Sequence, residues 1–253
     1  MKLGSVPYKN AIPLTAYLDC DIYWAPPSQL PRLAGPDDII LAPIVAAFED
    51  PSLYILEGVG IGSFGPVDTV KLFFNKTTDV KNIRTISLDT ESKTSVALLK
   101  ILLHYWTKDN GQGTMDQKQK SCRSMVHGPW SFVHSSDVLC DAALLIGDKV
   151  WEQGDKPALD LGQAWTEWTG LPFVYACWMT KNQIIGKEWK QKLITQAQKN
   201  LENLEKISTD PKLLKYWRQL VYEVGPKQKE GIQLFQKYWW ELEKKEIFPL
   251  KWI

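Results

Sequence analysis

No stretch of this 253-residue sequence stays apolar for the roughly 20 residues that a membrane-spanning helix needs. Its apolar runs, such as Ala142 to Ile146 and Leu98 to Leu103, are far shorter, so no contact with a membrane is expected. An excess of one charge is lacking too. The 30 Lys and Arg face 29 Asp and Glu, a net of +1, which argues against bulk attraction to nucleic acid or to an anionic surface. Only four cysteines occur, Cys20, Cys122, Cys140 and Cys177, with no CxxC pair; that spacing is poor for zinc and reads as reduced core thiols. The three histidines form no HExxH pattern, so no metal is expected. GxSxG, Walker and GxGxxG signatures are absent, which argues against α/β-hydrolase, nucleotide-hydrolysing and dinucleotide-binding chemistry. Gly58-Val-Gly60-Ile-Gly62 comes near the last of these, but Pro66 and the β-rich Val67 to Phe74 follow where a helix is required. Met1 to Ser5 runs into a turn at Pro7 without the apolar core of a signal peptide, so a cytoplasmic location is expected.

What is present is an α/β pattern. Short β-rich runs at Lys2–Val6, Asp21–Trp24, Ile39–Ile44, Tyr54–Gly60 and Thr69–Phe74 alternate with turn and helix signals. After the first run, Asn10 can cap a helix whose first turn holds Pro13. The pattern restarts with a strand at Thr85–Asp89, a polar turn, an apolar helix from Val96 to Leu103, and further strands at Asp141–Ile146 and Leu171–Trp178. Asn110 to Ser121 is polar and reads as a surface loop. Beyond Lys181 the spacing turns helical over Trp189–Ile207, Pro211–Tyr222 and Lys227–Glu246. Eight of the 12 tryptophans lie at or beyond Trp165, which suggests a packed helical layer. The expectation is a two-lobed chain: lobe I from residues 1–76 and 180–253, including the C-terminal helices, and lobe II from 77–179, with a ligand cleft between them.

In open α/β sheets ligands bind beyond the carboxyl ends of strands, where helix amino termini also point. Asn10, Pro43, Ser63, Ser92 to Ser95 and Gly147-Asp148 fall at such turns. Glu91-Ser92-Lys93-Thr94-Ser95 opens a helix with hydroxyls, which suits a carboxylate or phosphate; a plain N-cap explains it equally well. Ser63-Phe-Gly65-Pro66 offers a hydroxyl and a permissive glycine. Gly147-Asp148 places a carboxylate after a buried strand, or caps the next helix. His104 reads as structural. His127 and His134 flank Gly128-Pro129-Trp130 in an expected loop, where either can reach a cleft as a base.

These turns, taken together, resemble the chorismate dehydratase family of the futalosine route to menaquinone. The matching pieces are Leu3-Gly-Ser-Val-Pro-Tyr-Lys-Asn-Ala-Ile-Pro-Leu14, Ser63-Phe-Gly-Pro-Val-Asp-Thr-Val-Lys-Leu72, Ser87-Leu-Asp-Thr-Glu-Ser-Lys-Thr-Ser-Val-Ala-Leu-Leu99, Leu144-Leu-Ile-Gly-Asp148, and Asp160-Leu-Gly-Gln-Ala-Trp165 through Thr169-Gly-Leu-Pro-Phe-Val-Tyr-Ala-Cys-Trp178. The resemblance implies a type II periplasmic-binding-protein-like fold and cofactor-free conversion of chorismate to 3-[(1-carboxyvinyl)oxy]benzoate. It makes Asn10 the family position expected to orient the ring hydroxyl or the enolpyruvyl group; with the turns above, Asp148 is a candidate catalytic residue, and Pro43, Ser63, Ser92, Thr94, Ser95 and Gly147 are expected to contact the substrate. The base stays open between Asp148, a loop histidine and the substrate's own enolpyruvyl carboxylate, with the last favoured. Lys9 stands where the family usually has an apolar residue, and Asp68 where small or basic residues are common. The expected partner is the small molecule alone, with no nucleic acid and no membrane, the chain being a monomer or weak homodimer. Competing readings are the related enzyme that forms 1,4-dihydroxy-6-naphthoate, a non-catalytic binding protein, and an interaction protein using exposed tryptophans between Tyr216 and Trp252.

Overall fold

The computed structural model describes residues 1–75, 83–89, 91–106, 131–133, 140–244 and 248–253. They fall into two compact units, residues 1–63 with 172–253, and residues 64–171.

In the first unit, Ile39–Pro43 (β3) is buried at all five positions, as its unbroken apolar run requires of a strand covered on both faces. Leu3–Ser5 (β1) pairs with it in parallel and carries Ile22–Trp24 (β2) on its other side. Phe173–Thr180 (β10) runs antiparallel to β3 and to Tyr54–Ser63 (β4), and Lys251–Trp252 (β11) completes the sheet, in the order β11-β4-β10-β3-β1-β2. These directions put the carboxyl ends of β1, β3 and β4 and the start of β10 at one end of the sheet.

The glycine run that resembles a nucleotide fingerprint lies inside β4, and close packing is its reason. A Cβ on Gly62 would stand 2.6 Å from the Phe173 carbonyl oxygen, and one on Gly60 would stand 2.7 Å from that of Ala176. The outer side of this stretch is covered by the chain near Val221. Gly62 and Val221 exchange backbone hydrogen bonds of 2.7 and 2.8 Å, and the Gly60 amide donates to the Tyr222 carbonyl at 3.0 Å.

The C-terminal helices belong to this unit. Gln183–Glu202 (α6) packs along β4 and β10 through Gly186, whose absent Cβ leaves room for Thr180 and Ile253. This helix begins six residues earlier than its apolar stripe suggests, because the Asn182 side chain caps it by accepting from the amides of Ile184 and Ile185. Pro226–Glu243 (α9) packs on β10, where Phe235 meets Phe173 and Phe48 at ring-centroid distances of 4.8 and 5.6 Å. Of the eight tryptophans from Trp165 onward none is exposed, and Trp165, Trp178, Trp217, Trp239 and Trp240 are buried. That removes the motive for the interaction-protein reading. The thiol expectation needs one correction: Cys140 and Cys177 are buried, but Cys20, on the polar segment before β2, is only half-buried.

Glu57 on β4 is held by Lys190 of α6 at 2.9 Å and by Lys229 of α9. The Lys229 and Lys190 hydrogen bonds hold its carboxyl below the ordinary value of 4.5. A depressed folded pKa means that this contribution is complete above the unfolded pKa and is lost as the pH falls through the folded one. Glu57→Gln is therefore expected to flatten the loss of stability below about pH 4.5, read from urea midpoints across a pH series.

The second unit carries a five-stranded sheet built from Val70–Phe74 (β5), Thr85–Ser87 (β6), Ser131–Val133 (β7), Ala142–Ile146 (β8) and Ala158–Asp160 (β9), in the order β7-β6-β8-β5-β9. Strand β5 pairs antiparallel with both β8 and β9, so the chain changes unit after Ser63 rather than near residue 76. Lys93–Ile101 (α4) follows β6, and its continuation Leu102–Trp106 widens into a π-helical turn in which His104 packs edge-on against Tyr105. Among the described residues no helix is long and apolar enough to cross a membrane.

Candidate functional site

Asn10 sits in a 3-10 turn, Lys9–Ala11, that links the end of β1 to the short helix Ile12–Thr15 (α1). It does not cap that helix, contrary to the sequence expectation. Ala11 holds the cap position, with no side-chain cap bond, because the 3-10 turn shifts the helix start by one residue. The Asn10 amide is thereby left over, and its Oδ1 is buried with no hydrogen-bond partner. The turn beneath it is fixed at two carbonyls: Trp217 Nε1 donates to Lys9 O at 2.7 Å, and the Tyr222 hydroxyl donates to Asn10 O at 3.0 Å. Burial, with the neighbouring Tyr216, raises the Tyr222 phenol well above its ordinary pKa, so it stays a donor at any working pH.

Among the described residues of this unit the Ser63 and Ser5 hydroxyls share Asn10's condition, as does that of Tyr23. Ser63, the last residue of β4, and Ser5, the last of β1, are fully buried, and neither Oγ has a partner. Buried polar atoms are nearly always paired, so each such atom calls for an explanation. Ser5 was not a candidate from sequence, since a serine closing a strand gives no signal of what its hydroxyl meets. Pro43 ends β3, and the next amide, of Ile44, is taken by the Tyr175 carbonyl at 3.0 Å. Without an N–H of its own, Pro43 can offer a ligand only its ring and its carbonyl.

In the second unit Ser92 is the N-cap of α4. Its Oγ accepts the Ser95 amide at 3.2 Å and lies 2.9 Å from Ser95 Oγ. The capping explanation of this hydroxyl is thus realised, while Thr94 and Ser95 are buried in the first turn. Gly147 turns the chain after β8 with φ +62°, and its amide donates to Thr69 O at 2.8 Å, so that N–H is engaged. Asp148 follows in the 3-10 helix Gly147–Gln153.

Lys149 brings the two polar turns of this unit together. Its Nζ bonds Asp89 Oδ2 at 3.0 Å and lies 3.5 Å from Glu91 Oε1. Partial burial works against the charged form, yet the Asp89 hydrogen bond and the charges of Asp89 and Glu91 lift the Lys149 pKa above its ordinary value. The Asp89 side chain is only 4% exposed. Lys149→Met is therefore expected to cost about 1 kcal/mol in urea unfolding, the Lys149 side of the pair being half-exposed, and Asp89→Asn in the same chain to restore most of it.

The Phe64–Asp68 loop is pinned from below. The Asp160 carboxylate accepts the amides of Val67 and Asp68, the latter at 2.8 Å, and also those of Gly162 and Gln163 as N-cap of Leu161–Thr169 (α5). Burial pushes the Asp160 carboxyl pKa up, against the pull of those amides and of Lys71. The Gly65 amide donates to Thr166 Oγ1 at 2.9 Å. His127 and His134 lie outside the described residues, and among those residues no group of three His, Cys, Asp or Glu is placed to hold a metal.

The family model for menaquinone biosynthesis matches residues 1–241. The chain belongs to the menaquinone biosynthesis family. It is 27% identical over 206 residues to the chorismate dehydratase of Thermus thermophilus, covering 72% of this chain and 70% of that one. Among solved structures it is similar to the ligand-binding component of an ABC-type import system from Staphylococcus aureus. That match has a TM-score of 0.62 at 9% identity and covers 99% of this chain and 94% of the other. A desulfurization enzyme matches with a TM-score of 0.54 at 9% identity, covering 98% and 94%. The fold is accordingly periplasmic-binding-protein-like, as the resemblance implied.

Within this menaquinone biosynthesis family member, Lys9 and Asp68, the two positions expected from sequence to depart from the family pattern, have clear placements. Lys9 contributes its backbone carbonyl to the Trp217 bond, an interaction indifferent to its side chain. Asp68 adopts φ +62°, a conformation that Asp tolerates better than most residues, and its carboxylate pairs with Lys71 at 3.0 Å on a partly exposed surface.

Proposed function

We propose that this chain dehydrates chorismate to 3-[(1-carboxyvinyl)oxy]benzoate without a cofactor. The observation that carries the reading is the buried Asn10 Oδ1 without a partner, on the motif through which the chain resembles chorismate dehydratases. An acceptor kept dry and unpaired fits a ligand that brings a donor, and the C4 hydroxyl of chorismate is one.

The chemistry follows from the substrate. The C3–H bond of chorismate is conjugated through a ring double bond to the carboxylate at C1. Loss of that proton moves an electron pair into the ring carboxylate as a dienolate. Its return expels the C4 hydroxyl as water, with a proton delivered to the departing oxygen, and the ring becomes aromatic. Donors at the ring carboxylate lower the barrier because its charge grows on the way to the transition state. Ser92, Thr94 and Ser95 fill that role in the proposal, Ser92 with the hydrogen-bonding capacity that capping leaves it. Asn10 orients the C4 hydroxyl, Ser63 and Pro43 line the ligand, and Gly147 sets the turn that presents Asp148. The proton passes to the substrate's enolpyruvyl carboxylate, which is already held near C3, or to Asp148. Action in the cytoplasm belongs to the same proposal.

Purified protein mixed with chorismate alone, followed by chromatography with mass detection, tests it. A product lighter than chorismate by one water, lost in a Ser92→Ala, Thr94→Ala variant, supports the dehydratase reading. Chorismate that binds unchanged makes the chain a binding protein. Chorismate that does not bind moves the reading to the dihydroxynaphthoate-forming branch.

A further inference from the structure

None of the tryptophans in the C-terminal third is exposed, and two side chains of this segment reach back across the sequence to one three-residue turn. Trp217 is 1% exposed and Tyr222 5% exposed. Their single polar hydrogens go to consecutive carbonyls, those of Lys9 and Asn10, over separations of 208 and 212 residues. Backbone bonds between Val221 and Gly62 and between Tyr222 and Gly60 anchor the same segment to β4. The 3-10 turn is only three residues long and its cap position has no side-chain bond, so its own structure holds it weakly. The pair of long-range donors below it therefore adds to the turn's own backbone bonds in fixing the backbone from which the Asn10 side chain projects.

We infer that Tyr222 and Trp217 are positioning residues for Asn10, holding its amide oxygen where a ligand hydroxyl can bond it. The inference rests on the proposed role of Asn10. It assigns the C-terminal segment a task beyond core packing: a pin that sets the geometry of a turn near the other end of the chain. A positioned group acts through ångström-scale placement, so a lost pin lowers turnover rather than abolishing binding.

Tyr222→Phe removes one oxygen and keeps the ring, so the core stays filled. Its expected effect is a fall in kcat for chorismate dehydration of about tenfold with KM within about twofold. The same substitution in an Asn10→Ala chain is expected to change kcat by less than about twofold, because nothing remains to be positioned. Equal losses in the two backgrounds would overturn the inference, since Tyr222 would then act elsewhere. The side-chain amide NMR signals of Asn10, assigned by their absence from the Asn10→Ala chain, give a readout independent of turnover. They are expected to shift and broaden in Tyr222→Phe while the unfolding midpoint moves little; unchanged signals would also overturn it. If the parent chain does not dehydrate chorismate, the functional proposal fails, and the amide signals still decide whether Tyr222 holds Asn10.

Discussion

Asn10→Asp is expected to lower kcat/KM for chorismate by about 100-fold or more, comparable to the loss of one preorganised group in a dry site. The substitution changes one atom and scarcely alters the volume, so packing stays as it is. It replaces an unpartnered amide oxygen with a carboxylate in the same buried place. An ionised carboxylate there repels a ligand that is itself a dianion, and a protonated one no longer offers the same acceptor geometry. Burial also makes the bare charge costly. Initial rates of product formation at several chorismate concentrations check the prediction, with KM rising as kcat falls. Rates within threefold of the parent would remove Asn10 from the site.

The second large effect is on stability. Asp160→Ala is expected to cost about 3 kcal/mol in urea unfolding. Losing the cap of α5 accounts for about 1 kcal/mol, and leaving the Val67 and Asp68 amides without their acceptor adds about 1 kcal/mol each. Asp160→Asn keeps one acceptor oxygen and is expected to lose about half as much. The same change frees the Phe64–Asp68 loop, so cleavage by a nonspecific protease at Phe64, which is already exposed, should quicken in the alanine variant. A loss below about 1 kcal/mol would mean that those amides find other partners.

The parts of this fold that were readable in the sequence are those set by local pattern. The all-apolar Ile39–Pro43 and the β-rich Thr69–Phe74 carry their strand identity in their own residues, and both form strands within a residue of the expected bounds. Lys227–Glu246 likewise declared a helix, which runs over Pro226–Glu243 with the proline tolerated in its first turn. The start of α6 was missed because Gly186 and the charges around it weaken the stripe, while the Asn182 cap that starts the helix shows only once geometry is known. The unit change after Ser63 was hidden for a different reason. A strand does not announce which sheet it joins, and β5 goes to β8, some 70 residues further on.

The candidate site divides in the same way. Its turns could be placed at strand ends because Asn10, Ser63, Ser92 and Gly147 each follow a β-rich run. The interactions that hold those turns join residues far apart in sequence: Lys149 with Asp89, Asp160 with Asp68, Tyr222 with Asn10. No local spacing encodes such pairs. Nor could the sequence say that Asn10 would be left over from capping while Ser92 would be used in it; that choice was made by a one-residue shift of the α1 start.

The measurement closest to the central claim is the fate of deuterium placed at C3 of chorismate, incubated with the protein and no added cofactor. The account predicts 3-[(1-carboxyvinyl)oxy]benzoate free of deuterium, formed with a primary isotope effect if proton removal limits the rate. Chorismate recovered intact, or a product that keeps the label, would contradict it.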